Sequence, residues 1–82
     1  MDLINLIYSL YAKIKLPWDH ELIINIKSER EFCMAILVYN KGKIYRQAES
    51  FDKKEHDCMR NPEDMINIFL DHAVTALSKA VR

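Results

Sequence analysis

Apolar and polar residues alternate along this chain in a way that marks two helical and three extended segments. Residues 2–15 carry Leu and Ile at helical spacing, and residues 62–81 carry a second helical stripe. Between them, residues 21–27 and 43–51 alternate with the period of a strand, and residues 31–39 contain a continuous apolar run typical of a strand that is apolar on both faces. The pattern predicts one α+β domain over residues 1–82, a two-layer α-β-β-β-α fold with a three-stranded antiparallel meander.

The two predicted helices differ in how clearly their ends are marked. The last helix has Asn61 as its N-cap and Pro62 at its first position, followed by two acids that favour the positive end of the helix dipole. Its predicted buried stripe consists of Ile66, Phe69, Leu70, Ala73, Leu77 and Ala80. The first helix is predicted to end before Pro17, and its apolar arc is wider than packing on one sheet requires.

The middle strand is apolar on both faces. One face carries Phe32, Met34, Ile36 and Val38, and the other carries Cys33, Ala35, Leu37 and Tyr39. Leu22, Ile24 and Ile26 join the first face only if the first hairpin contains an odd number of residues, so a bulge or odd loop is expected near residues 28–30.

The second hairpin is predicted from "NKGK", in which Gly42 can adopt the left-handed conformation. A three-residue loop at residues 40–42 pairs Tyr39 with Lys43 and places Ile44 and Ala48 beside Val38 and Met34. Tyr45 then joins the second face, and the third strand is predicted to be a sheet edge because its apolar pattern is diluted.

The amino-acid composition limits the classes of function that this chain can have. Twelve Lys and Arg balance twelve Asp and Glu in 82 residues, so no net field attracts polyanions. No stretch has the pattern of a signal peptide or a membrane helix, and Cys33 and Cys58 lack a paired spacing. We therefore expect a cytoplasmic protein with reduced thiols.

Residues for catalysis or cofactor binding form no recognisable pattern. His20, His56 and His72 could combine with the two cysteines at a metal site, but a second closely spaced ligand pair is missing. No nucleophile motif, phosphate-binding loop or selected carboxylate pair is present. We expect no enzymatic activity, no metal and no cofactor.

A basic hairpin gives an alternative function. Lys41, Lys43 and Arg46 lie near Tyr39 and Tyr45, a combination that could bind RNA or single-stranded nucleic acid. The element order also resembles the double-stranded RNA-binding domain, which implies phosphate-binding lysines at the start of the last helix. This chain has Glu63 and Asp64 there instead, and these acids would repel a phosphate backbone.

The apolar second face and the wide first helix favour binding of another protein, or of a second copy of the chain. The predicted partner-binding residues are Tyr8, Tyr11, Ile23, Leu37, Tyr39 and Tyr45. Three intramolecular explanations remain open: a helix on each face, a cover formed by residues 52–60, or a different strand register.

The size and the predicted fold of the chain resemble those of one functional class of small proteins. A compact chain of about eighty residues with helices flanking a three-stranded sheet and no catalytic motif resembles the small inhibitors encoded by bacteriophages, anti-CRISPR proteins among them. The resemblance implies a non-enzymatic protein that blocks a host protein or complex through surface contact.

Overall fold

The predicted α-β-β-β-α order is confirmed in a computed structural model that describes residues 3–28, 31–52 and 61–82. The strands follow one another across the sheet in the antiparallel order β1-β2-β3, so β3 is an edge strand as predicted. The elements are α1 (Leu3–Tyr11), β1 (Asp19–Ser28), β2 (Glu31–Asn40), β3 (Lys43–Asp52) and α2 (Pro62–Val81).

Both helices belong to the same hydrophobic core, on one face of the sheet that we call the inner face. Helix α2 packs on β2 and β3, and α1 packs on α2. This arrangement removes the explanation that one helix covers each face. The buried side chains of this core are Leu3, Ile7, Leu10, Phe32, Met34, Ile36, Val38, Phe51, Ile66, Phe69, Leu70, Ala73 and Leu77.

The first hairpin has the odd residue count that the sequence predicted. Ile26 pairs with Phe32, whereas Ser28 pairs with Glu31, so the register shifts between Ile26 and Ser28. The shift keeps Leu22 opposite Ile36 on the inner face. Residues 29–30 of the predicted loop lie outside the described residues.

The second hairpin corrects the predicted register. Asn40 pairs with Lys43, so the turn has two residues, Lys41 at φ 53° and Gly42 at φ 77°. Positive φ at both central positions is the requirement of a type I′ turn, whose twist matches that of the flanking strands. The predicted three-residue loop is therefore wrong.

The corrected register exchanges the two faces of β3. Tyr45 pairs with Val38 and Phe51 pairs with Phe32, so both aromatic residues lie on the inner face. Ile44 and Ala48 lie on the opposite face instead, where Ala48 pairs with Ala35. The observed register buries Phe51, whereas the predicted register would have turned this side chain away from the helices.

Helix α1 is shorter than the predicted residues 2–15, because it ends at Tyr11. Its last turn tightens: the N–H groups of Lys13 and Ile14 donate to the carbonyls of Leu10 and Tyr11 at 3.1 Å, a separation of three residues. Ile14 therefore lies beyond the helix, although its side chain still packs against the core.

The N-terminus of α2 follows the sequence prediction. The Asn61 side chain accepts a hydrogen bond from the backbone N–H of Asp64 at 2.9 Å, and Pro62 begins the helix. The predicted stripe is buried from Ile66 to Leu77, whereas Ala80 is exposed. Among the described helices, none combines the length and apolar character needed to cross a membrane.

Replacing Asn61 by alanine should lower the free energy of unfolding by about 1 kcal/mol, because the N–H of Asp64 loses its acceptor. Urea denaturation followed by circular dichroism measures this loss. Asn67→Ala is the matched control, since Asn67 is exposed within the same helix and alanine is the better helix former. Equal losses in the two variants would show that the cap contributes nothing specific.

Candidate functional site

The face of the sheet opposite the helices, which we call the outer face, carries no described helix. Its residues form cross-strand rows, because directly paired residues share a face in an antiparallel sheet. From the β2–β3 turn toward the other end, the rows are Asp19–Tyr39–Ile44, Glu21–Leu37–Arg46, Ile23–Ala35–Ala48 and Asn25–Cys33–Ser50.

Large apolar side chains on this face are open to water. Ile44 is 64% exposed, Ile23 is 48% exposed and Tyr39 is 37% exposed. On the inner face, by contrast, Ile36 and Val38 are fully buried. The outer face is thus an apolar surface with charged residues at its two edges.

The side chains at the centre of the outer face are small or partly buried. Ala35 is buried between its neighbours, and Leu37 and Cys33 are half-buried. A depression of about 490 Å³ between Ile23 and Arg46 is partly open to solvent. Such a surface offers contact area to a macromolecule but surrounds a small molecule only in part.

One hydrogen bond fixes the polar edge of this surface. The Tyr39 hydroxyl donates to Glu21 Oε1 across the β1–β2 pair. This hydrogen bond to the Glu21 carboxylate is the main reason why the pKa of Tyr39 is raised, with desolvation and the Glu21 charge adding to it. The bond holds the carboxylate beside the apolar centre of the face.

The structure brings together three of the six predicted partner-binding residues. Ile23, Leu37 and Tyr39 lie on the outer face in adjacent rows. Tyr45 does not, because it lies on the inner face and packs against the core. The prediction that Tyr45 lies on the second face was wrong, because the turn contains two residues, 41–42, and not the three that were predicted.

The two remaining predicted residues lie on α1. Tyr11 is half-buried and shares a hydrogen bond between its Oη and His20 Nδ1, with the two rings edge to face at a centroid distance of 5.4 Å. Burial raises the pKa of Tyr11, with smaller contributions from the charge of Glu21 and from Tyr8. Tyr11 thus joins the end of α1 to β1, whereas Tyr8 is exposed on the helix surface.

The outer face also carries residues that were not among the predicted partner-binding residues, Ile44 and Arg46 among them. Ile44 was left out because the three-residue turn placed it on the core face, and Arg46 was predicted only as a nucleic-acid contact. Phe51 carried the signal that could have corrected this, since a register that buries this aromatic residue exposes Ile44.

The residues of the basic hairpin are divided between two faces. Lys41 lies in the turn, Lys43 pairs with Asn40 on the inner side, and Arg46 lies on the outer face. The aromatic residues are divided in the same way, with Tyr39 outside and Tyr45 inside. No single surface of this hairpin therefore combines all three cations with both rings, and nucleic-acid binding stays a prediction.

Metal-ligating side chains do not form a cluster of three or more within residues 3–28, 31–52 and 61–82. Cys33 is a free, half-buried thiol on the outer face. His56 and Cys58, like the predicted cover formed by residues 52–60, lie outside the described residues, apart from the backbone of Asp52 at the end of β3.

Comparison with known proteins gives no relative from which a function could be transferred. No protein-family model, no curated protein and no solved structure matches this chain significantly.

Proposed function

We propose that this chain is a non-enzymatic protein-interaction module that binds its partner through the outer face of the sheet. The observation that carries the proposal is the exposure of Ile23, Tyr39 and Ile44 on a face that no described helix covers. Apolar surface gains about 25 cal/mol for each Å² removed from water, so covering this face favours association.

The shape and chemistry of the face favour a protein as the partner. A polyanion would need a positive surface, whereas the outer face has Glu21 at one edge and Arg46 at the other. Tyr and Arg beside aliphatic residues are the composition typical of protein interfaces. The depression on this face is partly open to solvent, so it would surround a small substrate only in part, which supports a binding function rather than catalysis.

The finer form of the proposal is an inhibitor that acts by contact. A small domain with an exposed apolar sheet face can block a larger protein simply by occupying one of its surfaces. This action needs no chemistry from the chain itself, and we propose that it takes place in the cytoplasm, where Cys33 remains a free thiol. The resemblance to small bacteriophage inhibitors, including anti-CRISPR proteins, supports this form.

A capture experiment tests the proposal. The tagged chain is immobilised and exposed to an extract of its source cells supplemented with the untagged chain, and each retained protein is purified and titrated calorimetrically. We expect retention of a protein by the wild type, loss of retention with Ile44→Glu, and a negative heat-capacity change of binding from apolar burial.

Ile68→Glu is the matched control, because Ile68 is also exposed but lies on α2, away from the outer face. This variant should retain the partner as the wild type does. Circular dichroism and thermal unfolding verify that both variants are folded. The proposal fails if the wild type retains no protein, or if folded Ile44→Glu and Ile68→Glu retain the same partner equally.

A further inference from the structure

We infer that the outer face binds a second copy of the chain in a two-fold, face-to-face dimer. The inference rests on the proposed function, and it names the partner for that same face. It comes from one row of the sheet, in which Glu21, Leu37 and Arg46 lie side by side on β1, β2 and β3. An acid, an apolar centre and a base in this order make the row complementary to its own reversed copy.

A two-fold axis that runs along β2 between two facing sheets exchanges the edges of the sheet. Strand β1 of one copy then lies over β3 of the other, so Glu21 faces the partner's Arg46 and Arg46 faces the partner's Glu21. Aligned sheets pack about 10 Å apart, a gap that facing Glu and Arg side chains can bridge. Within one chain the two residues lie two strands apart, with Leu37 between them.

The row of Ala35 fits this arrangement, whereas the row of Tyr39 places Asp19 opposite the partner's Ile44. Leu37 and Ala35 lie on the axis and meet their own copies at the centre of the interface. In the row of Ala35, Ile23 faces the partner's Ala48, a large side chain against a small one. Facing sheets pack by such interdigitation of their side chains.

Charge also selects this axis over the other two-fold arrangement of facing sheets. An axis across the strands would place β1 over β1 and bring the acidic edges of the two copies together. The hydrogen bond from Tyr39 holds Glu21 at its edge of the face, in position for the partner's Arg46. The axis along the strands brings Glu21 and Arg46 of the two copies into attractive pairs.

The area of the face sets the strength of the dimer. Three strands of ten residues, with about 3.3 Å per residue and about 4.8 Å between strands, present on the order of 500 Å². Two such faces bury on the order of 1,000 Å² in all, the lower end of specific interfaces. We therefore expect a weak dimer at micromolar concentration, which a partner with a larger contact area would displace.

Charge reversal tests the inference by sedimentation equilibrium of the purified chain. The wild type should dimerise, and Arg46→Glu should raise the dissociation constant at least about tenfold, because each copy then faces acids across both pairs. Glu21→Arg should raise the dissociation constant in the same way, because each copy then faces bases across both pairs. Both residues are exposed, so neither substitution disturbs the core, and Lys79→Glu on α2 serves as the control that leaves dimerisation unchanged.

Mixing the two charge-reversed chains gives the decisive measurement. Glu21→Arg and Arg46→Glu should form a heterodimer with each other more tightly than either forms a homodimer, since every facing pair in the mixture is opposite in charge. The double variant should regain homodimerisation. A merely structural role of either residue would produce neither rescue.

The inference is overturned if the wild type remains monomeric up to high micromolar concentration, or if the mixed variants fail to associate. It is also overturned if Arg46→Glu dimerises as the wild type does, which is the result expected of an edge-to-edge sheet dimer. A monomeric wild type whose capture of another protein is lost with Ile44→Glu would refute the self-association while leaving the proposed function intact.

Discussion

Replacing Phe51 by alanine is expected to lower the free energy of unfolding by ~3–5 kcal/mol. Phe51 is only 3% exposed and connects three elements of the core. Its ring stacks on Phe32 of β2 at a centroid distance of 4.9 Å and meets Phe69 of α2 edge to face at 6.2 Å. Alanine removes both ring contacts and leaves a cavity between the sheet and α2.

Urea denaturation at low protein concentration measures the loss without a contribution from self-association. Phe51→Leu is the graded control, because leucine keeps most of the apolar volume and should cost clearly less than alanine. A loss below about 1 kcal/mol for Phe51→Ala would contradict the two-residue turn, since the three-residue alternative turns this side chain to the outer face.

Replacing Ile36 by alanine is expected to cost ~2–5 kcal/mol of unfolding free energy. Ile36 is fully buried at the middle of β2, where Leu22 and Gln47 are its cross-strand neighbours. The expected cost combines the lost transfer free energy of the side chain with the cavity left in a close-packed core. Chemical denaturation measures it in the same way as for Phe51.

Ile23→Ala is the matched control for Ile36→Ala, because it makes the same chemical change on the outer face. Ile23 is 48% exposed, so truncation of its side chain should cost less than half as much as truncation of Ile36. Losses of equal size would show that the outer face is covered in the monomer. A larger loss at Ile23 than at Ile36 would mean that the two faces had been assigned the wrong way round.

The first hairpin was predictable because its hydrophobic pattern admits one solution. Leu22, Ile24 and Ile26 must share a face with Phe32 and its neighbours, which requires an odd number of intervening residues. The register shift between Ile26 and Ser28 supplies that number. Wherever a buried face is this strongly apolar, the pattern determines which face of the sheet each residue occupies.

The second hairpin was not predictable in the same way, because β3 is weakly patterned. Ile44 and Ala48 mark one face, whereas Tyr45 and Phe51 mark the other, so alternation alone favours neither. The backbone of Lys41 decided the outcome by adopting φ 53°, a conformation that non-glycine residues adopt infrequently. Burial of the large Phe51 ring stabilises the fold more than burial of Ile44 would. Strand β3 therefore adopts the register that buries Phe51.

The end of α1 was misjudged because no local signal marks it. No glycine follows Tyr11, and the apolar spacing continues to Ile14, so local sequence gave no signal to stop. The contact between Tyr11 and His20 links α1 to β1. Helix and strand propensities depend on local sequence and take no account of a contact between separate segments. Helix α2, whose N-cap is encoded locally at Asn61, was predicted at its exact start.

The candidate site was predictable in its centre and not at its edges. Leu37 and Tyr39 follow from the two-sided apolar pattern of β2, and Ile23 follows from the first hairpin. Arg46 and Ile44 depend on the register of β3, which the sequence left ambiguous. The charge complementarity between Glu21 and Arg46 could be recognised only after the pairing of all three strands was known.

The packing of α1 on α2 has a consequence for how the chain folds. The sheet consists of two hairpins between consecutive strands, so its contacts have low sequence separation and can form early. The contact between the two helices, at opposite ends of the chain, requires closure of a loop of more than fifty residues and carries a larger entropic cost. We expect the sheet with α2 to form the folding nucleus and α1 to dock last, so that α1 is also the first element to exchange its amide hydrogens.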